Sequence, residues 1–168
     1  MWKLLERARY PFCKAVQPIK VGCTCMNDTK ITNTVASHRT MGDSTADIHR
    51  TREIARAFAN SLSPALGADV ADTFVLVVSE LVTNAVRHGG GRYTLELSAG
   101  PDAVSAAVSD PNPSPPREVT PDLNGGSGGF GWHMVHRLTN CVTITPGPGG
   151  PGKTINALLA RTPGHSTG

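Results

Sequence analysis

The sequence predicts a two-layer α+β sandwich, a mixed, mostly antiparallel sheet covered on one face by helices. Two observations carry this. Apolar residues recur at helical spacing over residues 46–62 and 69–88, one helix directly after the other. Period-two alternation or β-branched runs then mark strand pairs at 92–98 with 103–109 and at 139–145 with 153–160, each pair joined by a turn-like segment. Strands closed by short turns are antiparallel, and helices that do not alternate with strands need one common face, so a doubly wound parallel sheet does not fit. A length of 168 residues suits about one domain rather than a sensor domain joined to a catalytic one.

The elements follow in order. Residues 1–30 hold Pro11, Pro18 and three cysteines without a periodic apolar pattern, and are expected to be a poorly ordered extension. Residues 31–161 form the expected domain and 162–168 a flexible tail, with the polar end frayed from Arg161 onward. The β-branched run at 31–37 suits a short edge strand. Ser44 or Thr45 can cap the first helix, in which Ile48, Ile54, Ala55, Phe58 and Leu62 share a face. In the second helix Phe74, Val77, Val78, Leu81, Val82, Ala85 and Val86 form a broad stripe suited to lie on a sheet, and the run Gly89-Gly90-Gly91 stops it. More than half of the glycines and prolines lie between 111 and 152. The 111–130 stretch is longer than most connections in compact domains and is therefore expected to be functional. A short helix at 131–138 precedes the last two strands.

Composition narrows the function classes. The formal charge of +3 arises in the first 30 residues, where Lys3, Arg7, Arg9, Lys14, Lys20 and Lys30 face only Glu6 and Asp28, so the body is slightly acidic. Neither a basic patch nor a nucleic-acid motif is present. No apolar run approaches the ~20 residues of a membrane helix, and residues 2–21 lack the apolar core of a secretory segment. Cys23 and Cys25 have one residue between them and no second pair, which suits neither structural zinc nor a disulfide framework. A reducing cytoplasm is the expected compartment.

One motif is deceptive. Gly147 to Thr154 (GPGGPGKT) satisfies the phosphate-loop pattern letter for letter. That loop works by aiming backbone N–H groups at phosphates and leading into a helix, whereas Pro148 and Pro151 each remove an N–H and a strand pattern follows. A Gly/Pro-rich hairpin turn is expected, with Lys153 and Thr154 still able to approach a nucleotide from the start of the last strand.

The polar side of the second helix is the informative surface. At roughly 100° per residue, Glu80, Asn84 and His88 fall within about 80° of one another, with Arg87 beside them. An Asn carbonyl can complete the shell of a Mg²⁺ held mainly by phosphates and water, and a carboxylate one turn earlier can orient or deprotonate a hydroxyl. Asp110 ends a strand where the long loop begins and can accept from an exocyclic amine. Gly128, Gly129 and Gly131 permit close backbone approach where a helix N-terminus meets phosphate charge.

Together, Glu80 to Gly89 (ELVTNAVRHG), Asp110 and Gly128 to Val135 (GGFGWHMV) resemble the Bergerat-fold ATP-binding domain shared by gyrase, histidine kinases and MutL proteins. Within it the chain is most similar to the small anti-sigma-factor serine/threonine kinases of actinobacterial type, over about residues 46–160. The resemblance implies ATP and Mg²⁺ as cofactors, Glu80 as general base and Asn84 as the Mg²⁺ ligand. It further places Arg87, His88, Asp110, Gly128, Gly129, Gly131, Trp132, Lys153 and Thr154 around the nucleotide, with 111–130 as the lid. Trp132, where Leu is usual, suits core packing. The chain departs from the pattern at Pro111-Asn112-Pro113, where interleaved glycines are usual, at Phe130, often basic, and at Asn156, often a large aromatic.

The implied activity is transfer of the ATP γ-phosphoryl group to a Ser or Thr of an antagonist protein, with regulation of a sigma factor by binding. Its partners are then that sigma factor and antagonist, with a homodimer open, and neither nucleic acid nor membrane. The alternative is a non-catalytic ATP-binding or nucleotide-independent module that sequesters a transcription regulator, supported by Pro111, Pro113 and Phe130. A histidine-kinase activity lacks a phosphoacceptor hairpin in residues 1–45. His88, His133 and His136 do not form a convincing metal set.

Overall fold

The computed structural model describes residues 34–116 and 130–161. It contains β1 (Ala36–Gly42), α1 (Asp47–Ser61), α2 (Ala68–His88), β2 (Tyr93–Ala99), β3 (Ala103–Asp110), α3 (Phe130–Leu138), β4 (Cys141–Pro146) and β5 (Lys153–Ala160). The five strands form one sheet in the order β1-β2-β3-β5-β4, and every pairing in it is antiparallel. The chain leaves β3, returns through α3 to the far edge as β4, and β5 then fills the gap between them. The expected α+β sandwich is the observed one.

Alternation sets the inner face of the sheet. Leu95, Val108 and Ile155 stand in one cross-strand row, Leu97, Ala106 and Ala157 in the next, and Ala99, Val104 and Leu159 in a third. All nine are buried, while their neighbours Thr94, Glu96, Ser98, Ala107, Ser109 and Asn156 face the other side. The helix α2 lies over β2, β3 and β5, burying Phe74, Val77, Val78, Leu81, Val82 and Ala85 completely or almost so. Each fully buried Leu or Phe contributes roughly 1.5–3 kcal/mol relative to exposure, so this stripe fixes how the helix is rolled. In turn, α1 packs on α2, with the Phe58 and Phe74 ring centroids 6.3 Å apart.

Three sequence expectations are corrected. The edge strand begins at Ala36 rather than at 31 and runs to Gly42, and residues 31–33 lie outside the described residues. Its place follows from pairing with β2, from Ala36 opposite Ala99 to Gly42 opposite Tyr93, and not from its own β-branched content. The first helix has Ala46 at its N-cap and no side-chain cap. The direction of capping is reversed, because the Asp47 carboxylate accepts from the backbone N–H groups of Asp43 and Ser44 and from the Ser44 hydroxyl. Arg161 is not frayed: its side chain is buried and donates to the carbonyls of Gly100 and Pro64, tying the β2–β3 turn to the α1–α2 connection. The extensions at 1–30 and 162–168 lie outside the described residues.

Candidate functional site

The C-terminal half of α2 carries the site because its apolar face is committed to the sheet, leaving Glu80 and Asn84 half-buried on the other side. The Glu80 carboxylate packs against the start of α3. A Cβ built on Gly131 would lie only 2.1 Å from Glu80 Oε2, so glycine is what permits this approach. Ser79, next to Glu80 and buried, accepts a 2.7 Å hydrogen bond from Arg52 Nε, which anchors this turn of α2 to α1. The Nδ2 atom of Asn84 is buried and has no hydrogen-bond partner among the described residues. Arg87 and His88, one turn on, are exposed.

At the end of α2 the polar groups are instead interlocked. Gly89 closes the helix by donating to the Ala85 carbonyl, and a Cβ there would stand 2.5 Å from Asp110 Cγ. Gly90 and Gly91 follow with φ of 98° and 82°, a conformation that strongly favours glycine. Asn112 bridges from the other side: its side-chain amide donates to the His88 carbonyl at 2.7 Å, and its backbone N–H is shared between the Gly89 carbonyl and Asp110 Oδ1. Asp110 and Lys153 are register partners on β3 and β5. Their side chains are almost fully buried, and Lys153 Nζ donates at 2.9 Å to both Asp110 Oδ1 and the Asn112 carbonyl.

The structure thus joins Glu80 with Gly131, and Asp110 with Lys153, Gly89 and Asn112. It separates Thr154 from that set. Strand alternation turns Thr154 to the helix-free face, where its hydroxyl hydrogen-bonds Ser109 at 2.7 Å. Trp132 is buried, with its ring edge-on to His136 at a centroid distance of 4.6 Å, a core packing role. Gly128, Gly129 and most of the expected lid lie outside the described residues. The GPGGPGKT segment is a turn between antiparallel β4 and β5, and a strand rather than a helix follows it. Among the described residues no group of three His, Cys, Asp or Glu side chains is placed to hold a metal.

Sequence reasoning missed the Asp110–Lys153 pair, the bridging by Asn112 and the Arg52–Ser79 bond. It also missed an open cavity of about 780 Å³ that reaches Asp110, Pro111 and Gly152 but not Glu80, Asn84 or Gly131. Arg50, Arg92 and Tyr93 stand on its wall. Burial pushes the Tyr93 phenol above its ordinary pKa, against a hydroxyl contact with Thr51 at 2.9 Å. The Asp47 carboxyl, also on that wall, is held below its ordinary value, chiefly by the Asp43 N–H and the Ser44 hydroxyl.

Comparison with known proteins settles the family. The histidine kinase-like ATPase domain matches residues 44–157, about two thirds of the chain. The chain belongs to the histidine kinase-like ATPase domain family. The crystal structure of the RsbU and RsbW domains of Rv1364c from Mycobacterium tuberculosis superposes with a TM-score of 0.54 at 18% identity. That superposition covers 74% of this chain and 32% of the other, so the chain spans about a third of that protein, and the likeness is one of fold. No curated protein matches the chain.

Within this ATP-binding family, the residues present suit a magnesium-bound nucleotide. Mg²⁺ takes few protein ligands and keeps water and phosphate oxygens for the rest, so one Asn suffices where a three-residue cluster is absent. No described residue hydrogen-bonds the half-buried Asn84 amide, and a half-turn exchanges its Nδ2 and Oδ1, so an oxygen can be offered at no loss of an internal contact.

Proposed function

We propose that this domain is an anti-sigma-factor-like protein serine/threonine kinase that binds MgATP and passes the γ-phosphoryl group to a Ser or Thr of an antagonist protein. The observation that carries this reading is the juxtaposition of Glu80 with Gly131 beside Asn84. A carboxylate lies against the first turn of α3, four residues before a buried amide nitrogen that no described residue hydrogen-bonds. Mg²⁺, when bound, would be held by Asn84 and would offset phosphate charge.

The chain's own groups supply the remaining requirements. Glu80 takes the proton from the attacking hydroxyl as its oxygen bonds to the γ-phosphorus and the bridging oxygen leaves with ADP. Amides at the start of α3, with Gly128, Gly129 and Gly131, receive phosphate oxygens. Asp110 accepts from the exocyclic amine of adenine. Arg87 and His88, exposed at the end of α2, and Lys153 complete the proposed nucleotide surroundings. Thr154 reaches the nucleotide only from the other face of the sheet, and Trp132 supports the α3 junction from within the core. Sigma factor and antagonist are the proposed partners, in the cytoplasm. The described helices include none long and apolar enough to cross a membrane.

A non-catalytic module that only captures its partner is the second reading. Pro111 favours it, because its ring packs 3.0 Å from a Cβ position on Gly90 and stiffens the root of the expected lid. Titration with ATP in Mg²⁺ and in EDTA, followed by incubation with γ-labelled ATP and a serine-bearing antagonist, separates the two. Binding strengthened by Mg²⁺ together with labelled antagonist is expected. Binding with capture but no label selects the second reading, and no binding in either buffer leaves only its nucleotide-independent form.

A further inference from the structure

The Asp110 carboxylate is the group that the proposed function turns toward the purine base, and its surroundings are unusual for a ligand-binding carboxylate. It is almost fully buried beside the C-terminal end of α2, where the carbonyls of His88 and Gly89, both held by Asn112, carry the partial negative charge of the helix end. An ionised carboxylate in that place needs a compensating cation, and Lys153 supplies it. The pairing is specific to one oxygen. Asp110 Oδ1 takes both the Lys153 ammonium and the Asn112 N–H at 2.9 Å, whereas Oδ2 takes no donor from any described residue. The same ammonium also holds the Asn112 carbonyl at 2.9 Å, so Lys153 fixes the carboxylate and the root of the following loop together.

We propose that Lys153 is a positioning residue for base recognition: by occupying Oδ1 and the Asn112 carbonyl it leaves Oδ2 as the acceptor for a 6-amino group, and so makes the site prefer an aminopurine over an oxopurine nucleotide. The inference rests on the reading of the site as a nucleotide pocket with Asp110 toward the base. It differs from the role that a Gly-Lys-Thr segment suggests. A lysine whose side chain is 6% exposed and whose ammonium is already bonded to two internal acceptors is committed to the base end and not to phosphates.

The test is titration of the full chain with MgATP and with MgITP, which differ at the 6-position. The wild-type chain is expected to prefer ATP by about tenfold or more, since a site built to bond an amino group rejects the analogue that lacks it. Lys153→Met, which keeps the stem and removes the ammonium, is expected to weaken ATP about tenfold and ITP no more than about twofold, bringing the ratio close to unity. A purely structural or phosphate-contacting lysine would lower both nucleotides alike and leave the ratio intact, and that result overturns the proposal. Equal wild-type affinity for ATP and ITP overturns it as well, by removing the base role of Asp110. A wild-type chain that binds neither nucleotide instead overturns the nucleotide reading beneath it. Because Lys153→Met leaves a buried carboxylate unpaired, Lys153→Arg and Lys153→Gln serve alongside. The arginine variant should keep the preference within about threefold and the glutamine variant should lose most of it, and the reverse order counts against the proposal.

Discussion

At one end of the polar face of α2, Asn84 presents a buried amide nitrogen that hydrogen-bonds no described residue. At the other end, Asp110, Asn112, Lys153 and the His88 and Gly89 carbonyls satisfy one another within about 2.7 to 3.1 Å. Both regions contain buried polar atoms, so burial alone does not distinguish them. What differs is the valence left over. A buried polar group without a partner costs about 1–3 kcal/mol, and a fold that keeps one leaves that cost to be recovered when a ligand arrives. A saturated node gains little from a ligand but holds its one remaining acceptor in a fixed place. The first end is suited to supply affinity and chemistry, the second geometry and selectivity.

Mutations should break this contrast in graded fashion. The largest effect is expected at Glu80, on the unsaturated end. Glu80→Gln should lower phosphotransfer by about 10²- to 10⁴-fold in a radiolabel assay while MgATP affinity stays within about threefold. Asn84→Ala should weaken ATP about 10- to 100-fold in Mg²⁺ and hardly at all in EDTA, measured by titration in the two buffers. Its thermal midpoint should not fall, because the amide hydrogen-bonds no described residue. Equal losses in both buffers would move Asn84 from the metal to the fold.

At the saturated end the expected effects are on stability. Gly89→Ala would force a methyl to within 2.5 Å of Asp110 Cγ and should cost about 1–3 kcal/mol in urea denaturation. Gly150→Ala, where a Cβ meets nothing within 4 Å, is the matched control and should be nearly neutral.

Smaller effects should appear as pH dependence around the neighbouring cavity. Burial raises the folded-state pKa of Tyr93, so its contribution is fully present below its unfolded pKa, about 10, and is lost as pH rises through the higher folded value. Tyr93→Phe should flatten that alkaline loss in thermal melts above about pH 10. Asp47 has the opposite sign. Its folded pKa is lowered by the Asp43 and Ser44 donors, so its contribution is present above the unfolded value of about 4 and disappears as pH falls through the folded one. Asp47→Asn should narrow the difference between melts at pH 6 and at roughly pH 3, by less than any change above, because the group is solvent-exposed.

Local periodicity determined a great deal. The stripe from Phe74 to Ala85, the alternation of Val104, Ala106 and Val108, and the glycines after His88 are each legible from a few neighbouring residues. They suffice for the two layers, the antiparallel sheet and the common side of Glu80 and Asn84, because helix and strand periods assign faces without knowledge of partners. The rest depended on pairing across the sheet. Whether Lys153 meets Asp110, and Thr154 turns away, follows from the β3–β5 register, in which a slip of one residue would exchange them. The shift of β1 to Ala36–Gly42 and the burial of Arg161 have the same origin. Register is set by contacts between residues some forty or more positions apart, such as Asp110 and Lys153, and no local pattern encodes that choice.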